Sequence, residues 1–381
     1  MKKTLLGTTA LVAVGLLAGP ALASDPLKVT VGGNVVTGFY AIDADDAGPV
    51  SFQDTKVALV ARNIDIKAEG TLDNGLVAGV DAKLMLGSDW NTTDNGDATF
   101  RQLFAYLEGG FGRFEIGGTD GAAYKMHYTS PWFVPGNGVD SPNILNNAVL
   151  GGTPGATGLN LRQSTFSLLA TDANKVSYFT PRLAGFQLGL SFSPEVSQHN
   201  PYANGLVVLP DVNNVTNVFE AALNYAGTFG GVDLGLDGFY TTGDSSDAGI
   251  DPEEYGFGAN IGYAGFTLGG AYYKSKDVFG SFASGATAGP IGSSTADVDQ
   301  KVWTAGLKYA TGPWTVGVAY LSSDIDAPLG FSPSSDSWQI GGGYNLGSGV
   351  DIGLDLQKSK VDTGAGDYDS QSAGIVLAIA F

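Results

Sequence analysis

The chain has 381 residues, 43% of them apolar, with 57 glycines and no cysteine. Its 38 acidic side chains outnumber 19 basic ones, which excludes the basic footprint that nucleic-acid binding needs. Without cysteine there is no disulfide scaffold, and the two distant histidines, His127 and His199, leave zinc without a ligand set and a serine hydrolase without a motif.

"MKKTLLGTTALVAVGLLAGPALASDP" opens with two lysines, continues as an apolar stretch and closes on Ala21-Leu22-Ala23. These are the parts of a secretory signal peptide spanning residues 1–23 and cut before Ser24. An uncleaved anchor is the competing reading, which Pro20 and the small-x-small ending disfavour. Cleavage leaves residues 24–381, 358 in all, with 17 basic against 38 acidic side chains, a net charge of −21. Beyond the leader no apolar run approaches the ~18 residues of a membrane helix. A β-rich secreted protein and a transmembrane β-barrel, which hides its apolar residues at every second position, both remain.

Strand-like segments follow in pairs. "LKVTVGGNVVTGFYAI" stands alone, then "KVALVARNIDIKAEGTL" joins "GLVAGVDAKLML" across Asp73-Asn74-Gly75. "RQLFAYLEG" joins "FGRFEIGG", "KVSYFTP" joins "GFQLGLSF", and "NVFEAALNYAG" joins "GVDLGLDGFY". "EEYGFGANIGYA" joins "FTLGGAYYK", "KVWTAGLKYA" joins "PWTVGVAYLSS", and "WQIGGGYNLG" joins "VDIGLDLQKSK". Each junction is short and contains Gly, as a tight hairpin requires. With "QSAGIVLAIAF" at the end, seven hairpins and two single strands make sixteen strands. The other connections, such as "SPEVSQHNPYANGLVVLPDVNN" and "DVFGSFASGATAGPIGSSTAD", are long and polar. Short turns at one end and long loops at the other predict an all-β, 16-stranded antiparallel transmembrane β-barrel with periplasmic turns and extracellular loops.

The alternation agrees. Val350, Ile352, Leu354 and Leu356 oppose Asp351, Gly353, Asp355 and Gln357. Phe186, Tyr225, Tyr263, Phe266, Tyr309, Trp314, Tyr344 and Phe381 gather beside the short turns, as an interfacial aromatic girdle would. The bulky face of the last strand is then covered by lipid, and that strand closes against the first, because an unpaired edge in hydrocarbon costs several kcal/mol per group.

One connection breaks the pattern. Residues 119–172 contain Pro131, Pro135, Pro142 and Pro154, which forbid a regular hairpin, and a loop this long points to function. A sixteen-strand barrel encloses an aqueous channel, which the loop folded into the lumen would narrow.

"RQLFAYLEGGFGRFEIGG", the long loop, then "NKVSYFTPRLAGFQLGLSF" resembles the Gram-negative general porin family. In that family a Gly-x-Phe-Gly turn precedes the long third loop, and a stretch matched here by Tyr178, Thr180, Pro181, Gly185 and Phe186 follows it. The resemblance implies a homotrimer of diffusion pores in the outer membrane. It also implies that terminal Phe381 is the signal read by the outer-membrane assembly machinery. Many relatives carry Arg after the glycines that end the fifth strand; this chain has Gly117-Gly118-Thr119.

Asp65 and Lys67, Asp81 and Lys83, and Arg113 and Glu115 each stand two apart, opposite apolar neighbours. A basic side chain facing lipid at mid-depth costs about 2–4 kcal/mol, so these face the lumen. They are candidate constriction residues, with Asp120, Lys125, Asp140 and Arg162 from the loop, Asp172 at its end and, less strongly, Arg101. Solvated wall residues are the plainer reading of the same charges. The acidic balance and inward Asp233, Asp237, Asp351 and Asp355 predict a mild cation preference. No cofactor is expected, though pairs such as Asp45/Asp46 and Asp324/Asp326 are candidates to bind divalent cations that bridge lipopolysaccharide. The expected function is passive diffusion of ions and small hydrophilic solutes. The alternatives are a channel specific for a sugar or small organic acid, an outer-membrane enzyme, or a non-channel surface adhesin.

Overall fold

The computed structural model describes residues 27–45, 54–85, 99–141, 161–196, 215–245, 251–276, 299–326, 332–362 and 366–381. Residues 1–23, His199, Asp46 and residues 142–160 of the long loop lie outside them.

The strands are β1 (Lys28–Ala44), β2 (Thr55–Thr71), β3 (Val77–Met85), β4 (Thr99–Gly109) and β5 (Gly112–Gly118). After the long loop come β6 (Asn174–Phe179), β7 (Phe186–Glu195), β8 (Val215–Phe229), β9 (Val232–Ser245) and β10 (Glu253–Tyr263). The rest are β11 (Phe266–Lys276), β12 (Asp299–Thr311), β13 (Trp314–Asp326), β14 (Ser334–Gly347), β15 (Val350–Asp362) and β16 (Asp367–Ala380). Each pairs antiparallel with its sequence neighbours, and β16 pairs with β1, so the sheet closes as a sixteen-stranded barrel. The seam ends on a reciprocal pair: Gly33 N–H donates to Phe381 O at 2.9 Å and Phe381 N–H to Gly33 O at 3.0 Å.

Turn chemistry sets the short end. Two-residue hairpins whose central residues both have positive φ match the twist of the flanking strands. Gly230 (φ 56°) and Gly231 (φ 84°) reach it freely, whereas Ala264 (φ 50°) and Ser348 (φ 51°) share their turns with Gly265 and Gly349.

Side chains alternate as the sequence predicts. On β15, Ile352, Leu354 and Leu356 are exposed on the outer wall, while Gly353, Asp355 and Gln357 are buried on the inner one. Girdle rings pair across strands beside the short turns: Phe186 with Tyr225 (4.7 Å between centroids), Phe266 with Tyr309 (4.4 Å) and Trp314 with Tyr344 (4.5 Å). A second belt that the sequence reading did not separate runs nearer the long loops, through Phe257–Tyr272, Trp303–Tyr320 and Tyr320–Trp338. Among the described residues no aromatic pair forms on the outer faces of β16, β1, β2 and β3.

Candidate functional site

The connection between β5 and β6 folds into the barrel and tracks its inner wall. It begins with one helical turn, α1 (Ala122–Lys125), seated on β7 and β8. Ala122 N–H donates to Ser191 Oγ and Ala123 N–H to Glu220 Oε2, both at 2.9 Å. Asn224 then donates to Met126 O (2.9 Å), and His127 and Tyr128 engage Asp237 on β9. Ser130 accepts from Thr304 on β12 (2.9 Å), and Asn137 donates to Asp355 on β15 (2.8 Å). The returning arm is tied by Gln163 to Ser335 on β14 (2.7 Å) and by Ser167 to Glu254 on β10 (2.5 Å).

Glycines make the bed for this path. A Cβ on Gly258 would lie 1.9 Å from Tyr128 O, one on Gly317 2.3 Å from the Phe133 ring, and one on Gly353 2.4 Å from Pro135. Gly235 under Tyr128 and Gly269 under Thr129 continue the belt. Close backbone approach of this kind is a standard use of strand glycine. Glycines such as Gly258 and Gly353 were legible on the inward face from the alternation; that they make room for the loop was not.

On the inner face of β2–β5, Gln102, Phe104, Tyr106 and Glu115 are buried, and a strip of charged side chains beside them stays open. Register sets Asp65 opposite Lys83 and Lys67 opposite Asp81. Lys67 pairs with Glu69 (2.8 Å), Arg113 with Glu115 (2.8 Å) and Glu108 (3.0 Å), and Lys125 of α1 reaches Glu115 (2.5 Å). Aromatic rings brace these cations: the Arg113 guanidinium lies 3.7 Å from the Tyr106 centroid, and Lys125 Nζ 4.7 Å from that of Phe104. Lys67, Glu69, Glu108, Arg113 and Lys125 keep 27–51% of their side-chain surface open. The structure thus brings together seven predicted residues: Asp65, Lys67, Asp81, Lys83, Arg113, Glu115 and Lys125. Glu69, Glu108, Phe104 and Tyr106 were missed, although the same two-residue spacing placed them on that face.

Asp120, Asp140 and Arg162 stand elsewhere, buried in the seam between loop and wall. Asp120 accepts from Gln102 (2.9 Å) and Thr171 (2.6 Å), Asp140 from Thr129 and Thr165, and Arg162 pairs with Glu254 (3.4 Å) over the Tyr273 ring. Asp172 pairs with Arg101 at 2.7 Å. Residues 142–160 contain no Asp, Glu, Lys or Arg. Lys125 is therefore the loop's one charged side chain with appreciable water exposure. At the outer rim Asp326 pairs with Lys301 (3.0 Å), and among the described residues no three potential metal ligands converge.

Thr165, His127 and Asp237 stand in the order of a hydrolytic triad, at 3.0 and 2.9 Å. Thr165 is fully buried and its hydroxyl donates to Asp140, so no substrate carbonyl can reach it.

A sequence profile described as Gram-negative porin matches residues 7–364. The chain belongs to the Gram-negative porin family. No curated protein sequence matches it. Among solved structures, the outer membrane channel DcaP of Acinetobacter baumannii is similar at 14% identity and a TM-score of 0.60, covering 96% of this chain and 100% of that one. An anion-selective porin from Comamonas acidovorans follows at 16% identity, TM-score 0.56, with 93% and 100% covered. A trimer form of in-vitro folded OmpT, an outer membrane protein of Vibrio cholerae, gives 14% and 0.57, with 94% and 100% covered. At these identities the likeness is one of fold. Family and barrel together make this porin an outer-membrane channel protein.

Proposed function

We propose that this porin is a passive, mildly cation-preferring diffusion channel for ions and small hydrophilic solutes. The observation that carries this reading is the uncovered strip of β2–β5 facing the loop. It presents four carboxylates (Asp65, Glu69, Asp81, Glu108) against four cations (Lys67, Lys83, Arg113, Lys125), with Glu115 buried beneath Arg113 and Lys125, and most of them cross-paired. Fixed charges bias which ions enter, and a nearly balanced set biases them weakly. A channel specific for one anionic solute would need cations free of carboxylates, and here Lys67, Arg113 and Lys125 each hold one.

The gap in the aromatic belts over β16–β3 supports a homotrimer whose other copies cover that face with protein. Its outer residues are mostly aliphatic, among them Val35, Ile64, Ile66, Val80 and Ile375, with Arg62 opposite Val35 and a single exposed ring, Phe39, opposite Ile375. The trimer form of the Vibrio cholerae protein agrees with this reading. Exposed Phe381 at the short-turn rim suits recognition by the assembly machinery, and lipopolysaccharide would meet the outer loops. Reversal potential across a planar bilayer under a salt gradient tests the function. Stepwise conductance with a small cation-favouring potential is expected; absence of channels overturns the pore, and anion preference overturns the selectivity.

A further inference from the structure

One arginine of the barrel wall faces away from the lumen. Val36 is buried against Gly136 of the loop and so points inward, which turns its neighbour Val35 outward. Val35 pairs with Ile379, exposed on the outer wall, on one side and with Arg62 of β2 on the other. Directly opposed residues of an antiparallel ladder share a face. Arg62 therefore lies on the outer wall. The parity holds on both sides of it: Asn63 points inward and donates to Asn34 at 3.2 Å, and Ala61 points inward opposite Val36.

Its surroundings are apolar in both directions along the strand. Toward the short turns the outer face of β2 continues with Ile64 and Ile66; toward the long loops it reaches Val57, which is exposed and lies opposite exposed Phe39. Among the described residues Arg62 has no hydrogen bond and no ion pair. Other outward cations stand at or beyond the upper aromatic belt. Lys358 lies opposite Trp338, while Lys301, beyond Trp303, pairs with Asp326, and Lys274, beyond Tyr272, pairs with Asp299. A guanidinium keeps its charge and carries five N–H donors. Lipid tails offer those donors nothing, and a charge on the lipid face at mid-depth is destabilising. Headgroup phosphates lie beyond Val57 and Phe39.

We propose that Arg62 is a subunit-contact residue whose guanidinium donates to oxygen acceptors supplied by a second copy of this chain. This contact rests on the homotrimer reading above and names the polar group at its centre. Charge complementarity favours a second copy as the occupant, since the chain carries 38 acidic side chains against 19 basic ones and is rich in the oxygens a guanidinium takes. Position favours it too, because Arg62 sits inside the gap in the aromatic belts, among Val35, Ile64 and Ile66. Aliphatic faces alone slide past one another. A planar fork of donors that must find its acceptors fixes one barrel's register and orientation against the next. Removing the fork leaves those acceptors buried without a partner.

Two measurements on the detergent-resistant trimer test this. Arg62→Met keeps an unbranched chain and removes the donors, so its trimer should dissociate at a lower temperature than the wild type, with Arg62→Lys in between and the released barrel still migrating as folded. An arginine facing lipid gives the opposite sign, since R62M would then relieve a cost; an unchanged or higher temperature overturns the contact. The chain has no cysteine, so Ile64→Cys takes a single nitroxide label beside an intact Arg62, with Ala259→Cys on the outward face of β10 as the lipid-facing reference. In liposomes the label at 64 should be several-fold less accessible to dissolved oxygen than the label at 259. Equal accessibility would place lipid around Arg62, and protection that appears only with added lipopolysaccharide would place a headgroup phosphate there; either overturns the second copy. A wild type that is never a trimer would overturn the homotrimer and this contact together. A trimer that passes both tests and opens no channel would overturn the pore reading and leave the contact standing.

Discussion

The ammonium of Lys175 donates to the main-chain carbonyl of Thr119, joining the strand that follows the long loop to the residue that begins it. Its other two protons go to Ala170 O (2.7 Å) and Ala173 O (2.9 Å) at the loop's returning end. All three donors of the buried ammonium are used, and both roots of the loop are tied to one atom. Lys175→Met keeps most of the volume and strips three buried carbonyls of a donor, each costing about 1–3 kcal/mol if water does not replace it. The barrel should still assemble, since its ladder is untouched. Single-channel records should show frequent closures at voltages where the wild type stays open. A record identical to wild type would show that the wall contacts alone hold the loop.

The glycine bed predicts a position-specific effect on conductance. Gly258→Ala would set a methyl 1.9 Å from Tyr128 O, so the loop must move inward. Gly238→Ala on neighbouring β9 meets nothing nearer than 3.8 Å and serves as its control. Conductance should fall measurably in G258A and stay at the wild-type value in G238A. Equal values would mean that the loop at Tyr128 does not border the narrowest section.

Much of this architecture was legible, and the reasons for the exceptions are physical. Period-two alternation is imposed by the pleat itself, so Asp65, Lys67, Asp81, Lys83, Arg113 and Glu115 could be placed on one face from spacing alone. Hairpins declared themselves through glycines such as Gly265 and Gly349, which the turns require. The loop's charges were not placeable this way. Asp140 and Arg162 look like pore residues in an irregular segment, and only the folded partners decide their burial. Arg162 meets Glu254 and Tyr273 on strands far along the chain, and Asp140 meets Thr129 and Thr165 from the loop's own two arms. Bulges hid a further detail, since Arg101 sits where the β3–β4 register slips and turns to Asp172.

Selectivity should respond to the open strip and hardly at all to the buried seam. Arg113→Gln removes one of four cations and leaves Glu108 without its partner, so reversal potential should move toward cations. The double change Glu69→Gln with Glu108→Gln should move it the other way, toward anions. Asp120→Asn alters a buried carboxylate that accepts from Gln102 and Thr171, and should leave the potential near wild type. A large shift in D120N would place the narrowest section beside the seam rather than against β2–β5.

The outer face of β2 carries the last prediction. Ala68 sits on that face between Val29 and Val80, inside the gap in the aromatic belts. Ala259 on β10 faces outward between Leu236 and Gly270, within the belts. A tryptophan at Ala259 meets lipid, which accommodates an indole readily near the interface. At Ala68 it would meet a second copy packed against aliphatic side chains, where extra volume costs about 1–3 kcal/mol or more per protomer. Ala68→Trp should therefore lower the temperature at which the detergent-resistant trimer dissociates, while the barrel itself still migrates as folded. Ala259→Trp should leave that temperature unchanged. The reverse pattern would move the subunit contact to the far side of the barrel and leave the gap over β16–β3 facing lipid.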